Sequence, residues 1–176
     1  MDEYYLPERS DTFGIEGTEE LLPLVCFRLG SEQYALDIAC VREVLRVSPI
    51  THVPQMPDFV LGIVNVRGNI IPVFDLRRKF GLTGKMSDEK GKIVVVEVHG
   101  TTVCFVADEV LDNVKIERSS LAPVPLGKLK IPEECVVGIS RVEERTIILL
   151  DLNKIYELLL EDMRDPDARG KLDKNG

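Results

Sequence analysis

Short apolar runs separated by turns rich in glycine and charge dominate the chain from residue 24 onward. Residues 24–29 (Leu-Val-Cys-Phe-Arg-Leu) read as a strand that turns at Gly30-Ser31 into Tyr34-Ala35-Leu36-Asp37-Ile38. The period then changes over 40–47. Val41, Val44 and Leu45 fall at i, i+3 and i+4, which predicts a short helix ending before Pro49. A second strand pair covers 61–66 and 69–74, with its tight turn at Arg67-Gly68 or Gly68-Asn69, where glycine supplies the positive φ of a hairpin. Pro72 cannot donate a ladder hydrogen bond, so an edge or a bulge is expected there. Asp75 is placed to cap a helix over 76–80 that Gly81 ends.

After a polar loop at 82–91 the plan repeats. Strands 93–98 and 102–106 flank His99-Gly100, and 108–114 stands in place of the short helix. A proline-containing loop leads to strands 136–142 and 146–150. Asp151 repeats the position of Asp75 and opens a helix over 152–163, with Ile155, Leu158 and Leu159 as its apolar stripe. Residues 62–76 lie over 138–152 at an offset of 76 and share Gly, Ile, Val, Ile, Asp and Leu at six of 15 positions. Residues 24–45 lie over 93–114 at an offset of 69, so that Val41 meets Val110 and Glu43 meets Asp112. The second half therefore carries 76 − 69 = 7 extra residues, assigned to the loop over 115–136.

This is a duplicated β-rich unit, all-β apart from short helices. It predicts two small five-stranded antiparallel barrels, each filled by its own side chains, plus a C-terminal helix. The expected division is a flexible acidic tail at 1–23, a first barrel at 24–90, a second at 91–151, the helix at 152–163 and a flexible tail at 164–176. Shared positions such as Ile63/Ile139, Val66/Val142 and Ile71/Ile147 are expected in the core.

Charge narrows the function classes. The net charge is −8, and residues 1–23 hold seven acids against Arg9, so −6 sits in the tail and −2 in the body. A phosphate backbone finds no cationic track, which argues against nucleic-acid binding. No apolar run approaches the ~20 residues of a membrane span. The acidic N-terminus lacks the order of a signal peptide, so a cytoplasmic location without membrane insertion is expected. Cys26, Cys40, Cys104 and Cys135 lie in apolar stretches without CxxC spacing and read as small buried hydrophobes.

The residues of catalysis are missing. His52 and His99 have no Cys, His or carboxylate at metal-ligand spacing, so no metal site is expected. The stretch 81–87 departs from a phosphate loop, which would need Gly at Lys79 and Ser or Thr at Met86. No nucleophile elbow or paired-carboxylate motif is present, and neither catalytic residue nor cofactor is assigned. Attention moves to where the two copies diverge. The hairpin tip Asn65…Arg67-Gly68-Asn69 becomes Arg141…Glu143-Glu144-Arg145. Arg67 is held by a tight turn, and Glu43 is the carboxylate expected to pair with it. Such a pair is either a solvated surface contact or a bidentate link that shapes a contact surface.

Asn65-Val66-Arg67-Gly68-Asn69-Ile70-Ile71-Pro72-Val73-Phe74-Asp75-Leu76-Arg77 closely resembles the N-L-R-G-x-[VI]-[VI]-P-[VI]-x-D-L-R hallmark of the CheW family of chemotaxis coupling proteins. The resemblance extends upstream through Ala35-Leu36-Asp37-Ile38 and Val41-Arg42-Glu43-Val44, and covers about residues 24–160. It implies two SH3-like barrels and a non-catalytic adaptor. Such an adaptor joins the cytoplasmic tip of a methyl-accepting chemoreceptor to the C-terminal CheW-like regulatory domain of a CheA-type histidine kinase, in membrane-associated receptor arrays. By motif position it implies coupling roles for Val41, Glu43, Val44, Gly62, Asn65, Arg67 and Gly68, with a Glu43–Arg67 ion pair. Val110 and Asn113 are assigned, by pattern, to the groove between the barrels.

The acidic tail and the charged C-terminal extension lie outside the motif. The chain resembles neither the two-domain CheV adaptors nor a kinase. A CheW-like scaffold with another output, such as surface motility or development, fits the same residues. An SH3-like module for RNA or a ribosomal partner would need a basic face, and an enzyme would need a titratable cluster in a cleft.

Overall fold

The structure is a computed structural model that describes residues 20–83, 90–125 and 127–164. Among the described residues ten strands form, several of them, such as β4, β6 and β7, rich in the β-branched residues that suit a pleated, half-buried surface. In chain order they are β1 (Leu21–Leu29), β2 (Glu32–Asp37), β3 (Val41–Arg46), β4 (Val60–Val66) and β5 (Asn69–Phe74), then β6 (Lys92–Val98), β7 (Thr101–Ala107), β8 (Glu109–Glu117), β9 (Val136–Val142) and β10 (Arg145–Leu150). Helix α1 (Leu76–Phe80) follows β5 and helix α2 (Leu152–Arg164) follows β10. The caps are as expected: Asp75 accepts from the N–H groups of Arg77 and Arg78, and Gly81 closes α1 in the left-handed region at φ +66°.

The strands assemble into two five-stranded sheets, ordered β8-β1-β2-β10-β9 (barrel A) and β3-β6-β7-β5-β4 (barrel B). Exchanging each strand for its repeat equivalent turns one order into the other, so the duplication extends to the topology. It extends to register as well: Val25 opposes Leu36 and Val94 opposes Phe105, both at the offset of 69. Each barrel is closed by the segment after its bulged strand, through the Thr51–Ile63 bridge in one case and Ala122–Ile139 in the other.

Four expectations are corrected. The barrels do not divide at residue 90. Barrel B is the contiguous stretch 41–107, while barrel A combines β1 and β2 with β8, β9 and β10, so each is completed by strands from the other half of the duplication. The barrels are not wholly antiparallel, because β2–β10 and β5–β7 pair in parallel. The helix expected at 40–47 is strand β3, paired with β6. A bulge between Val41 and Glu43 adds one residue to that strand, so its apolar positions imitate a helical period. Its repeat partner β8 runs over residues expected at 108–114 and beyond, with the matching bulge opposite Val25 and Phe27. Finally, strand β1 starts at Leu21 and pairs with β8, so the tail cannot extend to residue 23; residues 1–19 and 165–176 lie outside the described residues.

The core has three parts. Leu24, Cys26, Ala35, Ile147 and Leu149 fill barrel A, and their equivalents Ile93, Val95, Cys104, Ile71 and Val73 fill barrel B. The third and largest part lies between the barrels. There Phe27, Tyr34 and Leu36 meet Val94, Val96 and Phe105, with the Phe27 and Phe105 rings 5.2 Å apart. Helix α2 adds Leu152, Ile155 and Leu159 to this layer, and Lys79 of α1 pairs with its Asp162. Of the shared positions, Ile71/Ile147 are fully buried, whereas Ile63/Ile139 and Val66/Val142 are half-buried.

One further expectation fails at Pro72: β5 is not an edge but lies between β7 and β4, and the bulge of β4 falls opposite Val73 and Phe74 while Pro72 pairs regularly with Ile63. The parallel β5–β7 ladder pairs Val73 and Phe74, and lacks the equivalents of the Ile147 and Ile148 pairs of β10–β2; Pro72, at the Ile148 position, has no N–H to offer. The hairpin tips differ too. Arg67-Gly68 adopts φ of +52° and +88°, and the equivalent Glu143-Glu144 holds +49° and +69° without glycine. Gly68→Val should lower the melting temperature, since its Cβ meets open space and only the backbone conformation is strained. Glu144→Gly should raise stability by about 0.5–1 kcal/mol. Thermal unfolding of the two variants checks both signs.

Candidate functional site

The β3 bulge turns Glu43 toward the end of barrel B, where the β4–β5 hairpin presents Arg67. The Arg67 guanidinium donates directly to Glu43, whose side chain is 23% exposed against 73% for the arginine. Asn65 builds the tip, because its side-chain oxygen accepts the Gly68 N–H at 2.8 Å and so fixes the turn that aims Arg67. Arg42 pairs with Glu97 beside them. Together Arg42, Glu43, Arg67, Asn69, Ile70 and Thr102 border an open cleft of ≈ 460 Å³ at the mouth of the barrel. Ile70 is 61% exposed there, a large apolar side chain left on a rim of paired charges.

The other anticipated residues fall into separate groups. Val41 and Val110 are repeat equivalents that both pack against the layer between the barrels. Val44 and Asn113 are equivalent exposed positions on β3 and β8. Gly62, at φ +145°, has a packing role: a Cβ there would lie 2.0 Å from the Thr51 carbonyl oxygen that closes the barrel. The structure thus brings Glu43, Asn65, Arg67 and Gly68 together, with Val44 exposed on the same strand as Glu43. It leaves Val110 and Asn113 on the other barrel.

Sequence reasoning missed the counterpart of the ion pair. Asp112 and Arg145 form a bidentate link at 3.0 and 3.1 Å, with Arg145 also reaching Gln33 at 3.4 Å. Asp112 occupies the position of Glu43 on the matching bulge. The arginine has moved two places along its hairpin, from the position of Arg67 to that of Asn69. The coincidence of Glu43 with Asp112 was the available signal, but the shifted arginine concealed the pair.

The hydrogen bond to Glu43 raises the Arg67 pKa, which keeps the guanidinium charged. The hydrogen bond from Arg145 holds the Asp112 carboxyl below the usual carboxylate range. Burial pushes the thiols of Cys26, Cys104 and Cys135 up to about 11, which keeps them protonated at neutral pH. Among the described residues no group of three His, Cys, Asp or Glu could hold a metal ion, and no helix is long and apolar enough to cross a membrane.

Comparisons with known proteins agree with this architecture. The family model described as CheW-like domain matches residues 23–159. A "Chemotaxis protein CheW" of Klebsiella aerogenes is 33% identical over 129 residues, covering 73% of this chain and 78% of the relative. One from Helicobacter pylori is 31% identical over 147 residues, covering 84% and 87%. Among solved structures, the scaffolding protein TtCheW from Thermoanaerobacter tengcongensis superposes with a TM-score of 0.72 at 32% identity, over 81% of this chain and 92% of that one.

The depressed Asp112 carboxyl gives a testable pH effect. A carboxyl whose folded pKa is lowered contributes stability above its unfolded value of ~3.9, and that contribution is lost as pH falls through the folded value. Carboxyl-carbon NMR should place the Asp112 midpoint below that of a free aspartate, and Arg145→Gln should return it to the ordinary range. An unshifted midpoint in the parent protein would refute the pairing.

Proposed function

The chain belongs to the CheW family, and from that premise we propose that it is a non-catalytic chemotaxis adaptor. In this reading it couples the cytoplasmic tip of methyl-accepting chemoreceptors to the CheW-like regulatory domain of a CheA-type histidine kinase, on the cytoplasmic side of receptor arrays. The observation that carries it is the Glu43–Arg67 pair, built where the family motif lies and bordering a cleft with an exposed Ile70. An apolar contact ringed by paired charges is the anatomy of a modest protein interface, with the rim setting register rather than supplying most of the affinity.

The assignment of roles follows the same logic. Glu43 and Arg67 hold the rim in one geometry, Asn65 and Gly68 hold the hairpin that carries Arg67, and Val44 and Ile70 supply apolar surface. Val41 and Val110 sit where the two barrels meet, and with Asn113 they are candidates for the receptor-facing groove. Gly62 acts indirectly, by keeping the barrel closed.

Calorimetric titration with the isolated regulatory domain of the cognate kinase tests the reading. One-to-one binding near a ~micromolar Kd, about −8 kcal/mol, is expected. Glu43→Ala or Arg67→Ala should weaken receptor control of the kinase while costing the fold no more than ~1 kcal/mol, as for an exposed pair. A folded protein that fails to bind, or variants that signal like the parent, would overturn it.

A further inference from the structure

Among the described residues the chain passes between the barrels only twice, through 38–40 and through Asp108. Asp108 lies between the end of β7 in barrel B and the start of β8 in barrel A, and its side chain is fully buried. Its two carboxylate oxygens address different barrels. Oδ2 accepts the N–H of Gly30, in the β1–β2 turn of barrel A, at 2.5 Å. Oδ1 accepts from the Arg77 guanidinium, on α1 at the end of barrel B, at 2.9 Å. The Asp108 N–H also donates to the Arg28 carbonyl at 2.9 Å, and the Arg28 guanidinium stands 3.9 Å from the carboxylate. The same turn is in close backbone contact with the segment after α1: a Cβ on Gly30 would lie 1.8 Å from the Thr83 carbonyl oxygen.

From this geometry we propose that Asp108 is a positioning residue that fixes the mutual orientation of the two barrels, and that simultaneous engagement of receptor and kinase depends on that orientation. The inference rests on the adaptor reading for its functional half and on the geometry alone for its structural half. A carboxylate suits the post because both neighbours are donors. An amide of the same shape offers one acceptor, so in Asp108→Asn one of the two donors must face an NH2 group. A bond to one barrel is then lost while the packing volume is kept. The apolar layer between the barrels still holds them together, but it is non-directional and sets orientation less sharply than two opposed hydrogen bonds.

The test uses the full chain with nitroxide labels on Ser48→Cys in barrel B and Thr146→Cys in barrel A, both exposed sites, in a Cys40→Ala background. Three versions are compared: the labelled parent, Asp108→Asn, and Asp108→Asn with Arg77→Met, which takes away the Arg77 donor, and with it the contact to Asp75, without rebuilding the bridge. Asp108→Asn should lower the melting temperature and broaden the distance distribution between the barrels. The double variant should keep the broad distribution, because it restores no bond between the barrels. Unlabelled proteins then report on coupling. Affinity for the isolated kinase regulatory domain should stay within about twofold of the parent, because neither Asp108 nor Arg77 borders the Glu43–Arg67 cleft. Receptor-dependent kinase activation should fall at least about fivefold in both variants, the lower end of an ordinary coupling effect.

A distribution in Asp108→Asn that superposes on the parent's overturns the proposal. So does recovery of a narrow distribution together with stability in the double variant, which would reduce Asp108 to a stabilising contact. Failure of the parent itself to bind the kinase domain would instead count against the adaptor reading, and the distance measurement would still decide the positioning role.

Discussion

Neither half of the duplicated sequence can close a barrel by itself. The first hairpin of each half, β1–β2 or β6–β7, supplies the middle of one sheet, and the remaining three strands come from the other half. The join on one side is the bulged pair β1–β8 or β6–β3, and on the other the short parallel pair β2–β10 or β7–β5. Everything else follows from this exchange. The outer faces of the two hairpins must meet, which creates the shared apolar layer around Phe27 and Phe105. The bulges must recur at equivalent positions, which places an acid at the end of each barrel.

Symmetry in the framework makes asymmetry at the ends informative. Both barrels carry a bulge acid linked to a hairpin arginine, yet the arginine arrives from different positions and the links differ in burial. Glu43–Arg67 borders a cleft with exposed Ile70, whereas Asp112–Arg145 is a bidentate link beside Gln33. Shared packing kept the frame common to both copies, while the surface chemistry at the two ends diverged. The two barrels therefore present unlike ends.

Much of this was legible in the residues, and the omissions share a cause. Asp75 and Gly81 announced helix α1 to the residue, because cap chemistry is local. The hairpin turns at Gly30 and His99-Gly100 are legible for the same reason, and of the two turns the sequence allows at Gly68 the structure takes Arg67-Gly68. Strand β3 was misread since its bulge breaks the alternation that identifies a strand. The exchange between halves was invisible, because the pairing of β2 with β10 depends on residues more than a hundred positions apart. Asp108 carries no motif at all. Its role exists only once Gly30 and Arg77 are brought to either side of it.

The interleaving of barrel A around barrel B bears on how the molecule is made. Barrel B is uninterrupted and can be completed as soon as residue 107 has left the ribosome. The first hairpin cannot, because its partners begin only at Glu109, 109 − 37 = 72 residues after β2 ends. At ordinary elongation rates of ~5–20 residues per second, that hairpin waits roughly 4–14 s with both its edges unpaired. Unpaired edges are templates for other strands. Barrel B is itself complete only two residues before β8 begins (109 − 107 = 2), so it offers no finished face during that wait, and the hairpin's edges stay open until β8 and then β10 arrive.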